Sequence, residues 1–315
     1  MYNKLISVVI PMYYEEKVAA ECYRCLKGVM EGCGYSYELI FVNDGSRDAT
    51  FDILEKIAEN DKKVKVVSFS RNFGHQIAVT AGIDKARGSA VVIIDADLQD
   101  PPGLIIEMLR LWEQGYEVVY AKRKRRKGES IFKLATAKLF YRVLDKLSDT
   151  RIPLDTGDFR LIDAKAADEL RKMREKNRFL RGMVSWIGFK QTPLEYEREE
   201  RFAGETKYPL KKMVKLAFDG IISFSVKPLK LSQYLGFFAV ICSIVIFIYS
   251  FVYHLAGGVN LIPGWTSIMT AVTFLGGVQL ISIGILGEYI GRMYEESKDR
   301  PLYIIEKEIN MYDET

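Results

Sequence analysis

Three carboxylates fall within "IDADLQD", residues 94–100, straight after the apolar run Val91-Val92-Ile93. Asp95, Asp97 and Asp100 repel one another unless a cation sits among them. Residues two apart on an extended strand point the same way. Asp95 and Asp97 therefore share a face if the strand persists, and Gln99 extends that row. Oxygen ligands at this spacing suit a hard divalent cation, Mg²⁺ or Mn²⁺, that keeps open positions for phosphate. The competing reading is a solvated acidic loop before the helix that opens at "DPPGL". For Asp100 that reading is preferred, as the N-cap of the helix with Pro101 and Pro102 in its first turn. For Asp95 and Asp97 the ligand reading is preferred, because so apolar a strand delivers them to a crevice at the sheet edge.

Other chemistries lack their residues. No G-x-G-x-x-G follows the first apolar run and no G-x-x-x-x-G-K-[ST] occurs, so nicotinamide and P-loop readings have no phosphate cradle. No G-x-S-x-G marks a serine hydrolase. His75 and His254 are the only histidines, which argues against a histidine metal site or proton shuttle. With 45 basic and 41 acidic residues the net charge is +4, too slight for a dedicated nucleic-acid binder. The four cysteines form no disulfide pattern, as expected in a reducing compartment. Cys22 and Cys25 read as half-buried helix residues, because no fourth ligand is spaced for zinc.

The elements that must position these carboxylates are legible in the first third of the chain. "LISVVIP" (5–11), "YELIFVN" (37–43), "VKVVSFS" (64–70) and "AVVIIDA" (90–96) read as buried strands. Helical patterns at about 15–28, 48–60 and 74–87 separate them. The alternation predicts an α/β fold, a mainly parallel Rossmann-like sheet with helices on both faces. Ligands bind such sheets beyond the carboxyl ends of the strands. The polar clusters fall there: Pro11-Met12-Tyr13, Asn43-Asp44-Gly45-Ser46, Ser70-Arg71-Asn72 and Asp95-Ala96-Asp97.

The other end of the chain reads differently. Leu5 to Ile10 is too short for a signal peptide and is cut off by Pro11 and Glu15-Glu16. From Leu231 through Gly287 there is no Asp, Glu, Lys or Arg. A spanning helix needs about 20 mainly apolar residues. The run predicts a two-helix transmembrane hairpin, at about 232–254 and 265–289, split at "GGVNLIPG". Lys227 and Lys230 precede it, Arg292, Lys298 and Arg300 follow it, and the connecting loop has no basic residue. The positive-inside rule then places both termini and the N-terminal domain in the cytoplasm. Residues 128–148 and 207–230 read as amphipathic, interfacial helices. The second carries Lys211, Lys212 and Lys215 opposite an apolar face. The expected organisation is a catalytic domain at 1–206, a juxtamembrane helix at 207–230, two spans within 231–290 and a cytoplasmic tail at 291–315.

"SVVIPMYYEE", "VNDGSRDAT", "DADLQDPP", "TGDFRLID" and "RFAGETKY" occur in the order seen in family 2 glycosyltransferases of the GT-A fold. The chain more closely resembles bacterial polyprenyl-phosphate glycosyltransferases, relatives of dolichol-phosphate mannose synthase with two C-terminal membrane helices. The match runs over essentially the full length, through "FLGGVQLISIGILGEYIGRMYEE". A D-x-D alone is weak; five ordered motifs with the membrane hairpin are strong. The resemblance implies that Pro11, Tyr13, Glu15 and Asp44 line the nucleotide pocket, although the family often has Asn where this chain has Tyr14. It implies that Asp95, Asp97 and Gln99 carry Mg²⁺ or Mn²⁺ on the donor diphosphate. Arg201 and Lys207 would neutralise phosphates, with Arg123 beside them, and would offset the carboxylates. Asp158 in "TGDF" takes the acceptor-side place, orienting the nucleophile, acting as a weak base, or serving structure after the turn at Gly157.

The activity so implied is inverting transfer of a sugar, UDP-glucose being the leading donor, to a polyprenyl phosphate such as undecaprenyl phosphate. That product serves cell-envelope glycan modification. The catalytic residues would be Asp97, Asp158, Arg201 and Lys207. The partners are the nucleotide sugar, the lipid phosphate and the inner (plasma) membrane, without nucleic acid and with a homo-oligomer left open. One rival is a haloacid-dehalogenase-like phosphohydrolase. Such enzymes carry D-x-D on the first strand and Thr or Val two residues after the second aspartate, where this chain has Gln99 on the fourth. A non-catalytic nucleotide-binding membrane adaptor would show broken motifs, yet Asp44, Asp95, Asp97, Asp158, Arg201 and Lys207 are all present.

Overall fold

Strands β1 (Tyr2–Met12), β2 (Tyr35–Asn43), β3 (Val64–Phe69) and β4 (Ala90–Ile93) lie side by side in parallel, in the order β4-β1-β2-β3. The computed structural model describes residues 2–124, 153, 156–197, 227–255 and 264–311. The strands form because Val and Ile runs are covered on both faces. Ile6, Val8 and Ile10 of β1 join one core layer and Val9 joins the other. Helices α1 (Ala19–Gly32) and α2 (Thr50–Asn60) cover the first face; α1 buries Ala19, Cys22, Leu26 and Met30 at helical spacing. Helix α3 (His75–Lys85) covers the second, and Gly82 lets it approach β1 where any Cβ would overlap Val9.

The rest of the sheet is mixed. After α4 (Leu104–Glu113) come β5 (Val118–Arg123) and β6 (Thr156–Asp163). Helices α5 (Ala164–Lys172) and α6 (Leu180–Trp186) then lead to β7 (Gln191–Tyr196). β6 runs antiparallel to both β4 and β5, while β7 pairs parallel with β5. With β8 (Ile305–Ile309) antiparallel on β3, the eight-stranded order is β7-β5-β6-β4-β1-β2-β3-β8. The expectation of a mainly parallel sheet holds for the β1–β4 half and gives way to mixed pairing outside it.

Three local expectations are corrected. β4 ends at Ile93 instead of running to 96, because Leu98 adopts φ 55° and the Asp97 carboxylate accepts the Gln99 N–H at 3.2 Å. Residues 95–99 thus form a turn, and the strand-like row of Asp95, Asp97 and Gln99 does not persist. Asp100 does not cap α4, whose N-cap is Gly103; its buried carboxylate accepts the Tyr196 hydroxyl instead. Of residues 291–315, expected as a tail, 291–297 continue a long helix and Ile305–Ile309 form β8. Tyr303 stacks on Phe69 there, with ring centroids 5.2 Å apart.

Two long helices, α7 (Lys227–Leu255) and α8 (Trp265–Ser297), pack on each other. Within α8, Phe274–Ser297 is long and apolar enough to cross a membrane by length and composition, with mean hydropathy 1.4. Ser232–Ile246 of α7 is a shorter apolar stretch, so among the described residues one helix, not two, meets that measure. Both carry exposed apolar side chains, among them Phe237, Ile241, Leu280 and Ile283. The end of α8 touches the sheet domain: Glu296 accepts the Lys176 N–H and Glu295 the Asn177 amide. The expected interfacial helix at 128–148, most of 207–230, and Arg201 and Lys207 lie outside the described residues.

Candidate active site

Because β1 to β4 are parallel neighbours, their carboxyl ends lie along one edge of the sheet. At the end of β1, Pro11 is buried and Tyr13 and Tyr14 are exposed, their rings edge to face at 4.6 Å. Tyr14 takes a left-handed φ of 53°, and its N–H donates to Ser46 Oγ at 3.0 Å. The Glu15 N–H donates to Thr50 Oγ1 at 3.0 Å, and the Glu15 carbonyl receives the N–H groups of Val18 and Ala19 at the start of α1.

Asp44, at the end of β2, is buried. Its carboxylate accepts the Asn72 amide at 2.8 Å and the backbone N–H groups of Phe73 at 2.7 Å and Gly74 at 2.9 Å. Burial raises its pKa, and those two backbone donors and the charges of His75 and Arg71 only partly offset it. Gly45, at φ 65°, lies so close to the Arg71 backbone that a Cβ would overlap it. Asp44 in this geometry fastens the 71–74 loop, and that loop ends at His75, the first residue of α3.

The antiparallel pairing of β4 with β6 ends at Ile93 and Arg160, and Asp158 lies on β6 two residues before Arg160, beside the turn that follows β4. His75 Nε2 lies between the two carboxylates, 3.1 Å from Asp158 Oδ2 and 3.6 Å from Asp95 Oδ1. Arg181 Nε, from α6, donates to Asp158 Oδ1 at 2.8 Å. Gln76 Nε2 reaches Asp158 Oδ2 at 3.5 Å, and its Oε1 accepts the Leu180 N–H at 3.0 Å, tying α3 to α6. Beneath them the buried Arg160 donates to the carbonyls of Gly157 at 3.0 Å and Asp158 at 3.3 Å.

The electrostatics follow from that arrangement. Burial opposes ionisation of Asp158, but the Arg181 charge and the His75 hydrogen bond hold its carboxyl well below the usual range. Burial also opposes the His75 charge; the hydrogen bond to Asp158 and the charge of Asp95 outweigh it, and the imidazole is raised to about 9. Burial raises Asp95 to about 6, with His75 pulling it down and Asp158 pushing it up. Burial lowers Arg160 to about 10, against the pull of Asp158.

The residues present fit a divalent ion shared with a ligand. Among the described residues no group of three His, Cys, Asp or Glu side chains could hold a metal. Mg²⁺-type ions, however, commonly take one or two carboxylates and complete their shell with phosphate and water. Asp95 and Asp97 supply two carboxylates on one turn, and beside them Gln99 Oε1 is buried without a hydrogen-bond partner. Arg123 ends β5, two strands away from β4, in register with Tyr196.

His75, Gln76, Arg160 and Arg181 were not among the expected site residues, whereas Asn72 lay in the polar cluster 70–72. The signal for His75 and Gln76 was adjacency: they follow the polar cluster 70–72 at the carboxyl end of β3. Arg181 sits in no motif, and only the packing of α6 brings it to Asp158.

Comparison with known proteins agrees with this architecture. Residues 7–171 match the family described as glycosyl transferase family 2, and residues 227–293 match the GtrB C-terminal hairpin. An uncharacterized glycosyltransferase of Bacillus subtilis, YkcC, is 55% identical over 96% of this chain and 93% of its own. The bactoprenol glucosyl transferase of Shigella phage SfV is 41% identical over 96% of this chain and 98% of its own. A prophage bactoprenol glucosyl transferase homolog of Escherichia coli is likewise 41% identical, over 96% and 98%. Among solved structures, glucosyl-3-phosphoglycerate synthase of Mycobacterium tuberculosis matches 70% of this chain and 78% of its own, at 20% identity and a TM-score of 0.45. That likeness is too distant to bear on the ligand. The match over residues 7–171 and relatives 41–55% identical across nearly the whole length lead to one family: the chain belongs to glycosyltransferase family 2.

Proposed function

We propose that the chain transfers a hexose, glucose foremost, from a nucleotide sugar such as UDP-glucose to a polyprenyl phosphate such as undecaprenyl phosphate. The observation that carries this reading is the 41% identity to bactoprenol glucosyl transferases across 96% of the chain, crevice and C-terminal helices together. In this reading Pro11, Tyr13, Glu15 and Asp44 hold the nucleoside, Arg123 its phosphates, and Asp95, Asp97 and Gln99 a Mg²⁺ or Mn²⁺ ion. Arg201 and Lys207 neutralise phosphate charge. The bound ion would offset the charge that develops on the departing diphosphate.

The acceptor needs little help to ionise, since the second pKa of a phosphate monoester is about 6. Its oxygen attacks the anomeric carbon from the face opposite the leaving group. A C–O bond forms with inversion as the bond to the β-phosphate breaks, and the electron pair leaves with the nucleoside diphosphate. Asp158 fits an orienting role better than that of a base, because its depressed pKa makes it a weak proton acceptor. α7 and α8 form a membrane hairpin in this reading, with the catalytic domain and both termini on the cytoplasmic side of the inner membrane. One soluble and one lipid-embedded substrate suit that arrangement.

The test is a panel of radiolabelled sugar nucleotides incubated with membranes containing the chain, with and without chelator. Label should enter the lipid extract from UDP-glucose and vanish with chelator. Release of free sugar or phosphate without a labelled lipid would refute the proposal.

A further inference from the structure

We propose that His75 is a positioning residue for sugar transfer, its ring holding the Asp95 and Asp158 carboxylates at one fixed separation. The inference rests on the reading above, in which Asp95 belongs to the donor side and Asp158 to the acceptor side. The Asp95 carboxylate, just past the end of β4, and the Asp158 carboxylate on β6 repel one another, and a ring nitrogen held against both keeps them in place. His75 Nε2 is so placed, 3.1 Å from Asp158 Oδ2 and 3.6 Å from Asp95 Oδ1.

The backbone that carries the ring is itself fixed. The Asp44 carboxylate takes three hydrogen bonds from residues 72–74, and Gly45 presses on Arg71. Gly74, at φ 102°, makes the turn into α3, and Gly82 seats that helix against β1. Gln76 adds a second grip, since it touches Asp158 and accepts from the backbone of Leu180 next to Arg181. The chain therefore connects the end of β2, through the 71–74 loop and one imidazole, to the carboxylates of the turn after β4 and of β6. His75 acts through those carboxylates; sugar need not touch it.

The geometry makes an unusual substitution series informative. A glutamine amide nitrogen reaches about as far from the backbone as Nε2 of histidine, whereas that of asparagine stops near Nδ1. His75→Gln, His75→Asn and His75→Ala are compared in the full chain reconstituted in lipid, reading kcat, donor KM and Mn²⁺ binding in the presence of UDP. His75→Ala and His75→Asn should lower kcat about tenfold with donor KM changed less than about threefold, while His75→Gln recovers most of the rate. Mn²⁺ should bind all three variants as tightly as the parent or tighter, because His75 is not among the ligands that would hold the ion. Parental kcat in His75→Ala, or no difference between Gln and Asn, would overturn the inference, as would Mn²⁺ binding lost along with rate. If the parent itself makes no glycolipid, the proposed function fails. The Mn²⁺ titration then still reads His75 by itself: weaker binding in His75→Ala overturns the inference and unchanged or tighter binding supports it.

Discussion

His75 Nε2 and Asp158 Oδ2 meet at 3.1 Å across 83 residues of chain, and the same nitrogen faces Asp95 Oδ1 at 3.6 Å. The contact joins the turn after β4 to the strand beside it. It also answers a problem posed by the sequence, namely what offsets a cluster of aspartates. Within the described residues, His75 and Arg181 provide that charge for Asp95 and Asp158.

Asp158→Asn keeps the shape of the side chain but removes the charge that Arg181 and His75 grip. Glycolipid formation should fall about a hundredfold. Binding of UDP, followed by calorimetry, should stay near the parental value, since the proposed function puts Asp158 on the acceptor side. Full activity in the variant would remove Asp158 from the site.

The His75 imidazole gives the ligand-free protein a defined response to alkali. Its folded pKa, about 9, lies above the ordinary value near 6.5, so its contribution to stability is fully present below about 6.5. That contribution is lost as pH rises through about 9. Thermal melting of the parent should therefore decline from pH 7 to 9.5 more steeply than that of His75→Gln, which has no group titrating there. Parallel curves would contradict the assignment.

Tyr14 holds φ at 53°, a conformation that costs a bulky L-residue about 1 kcal/mol and that asparagine tolerates. Tyr14→Asn should raise the melting temperature by roughly 2–4 °C, read by differential scanning fluorimetry in detergent. A lower melting temperature would mean that the ring contact with Tyr13 outweighs the strain.

Tyr303 anchors the C-terminal strand by stacking on Phe69 at 5.2 Å and donating to Asp84 at 2.9 Å. Tyr303→Ala should cost about 2–3 kcal/mol and expose β8 to limited proteolysis. Tyr303→Phe keeps the stack and should cost only about 1 kcal/mol. Equal losses in the two variants would place the anchoring in the hydrogen bond instead.

Much of this molecule was legible in its sequence where local pattern and burial agree. Valine and isoleucine runs marked β1 to β4, and the polar residues after each run marked the sheet edge on which Asp44 and Asp95 lie. What escaped depends on contacts distant in the chain. The turn at 95–99 is set by a left-handed Leu98 and the Asp97–Gln99 hydrogen bond, and an apolar pattern records neither. Asp100 looked like a helix cap because its partner, Tyr196, lies 96 residues away. β8, with its charged "IEKEI", resembles a solvated tail until the edge of β3 pairs with it. His75 was set aside as one of only two histidines, yet one imidazole suffices when its neighbours are carboxylates.

The central claim is tested most directly with the purified chain in vesicles containing polyprenyl phosphate and UDP-glucose, following UDP release and the lipid products by mass spectrometry. The account predicts one glucosyl-lipid formed per UDP released, and neither product from Asp95→Ala. UDP released together with free glucose and no glucosyl-lipid would contradict it.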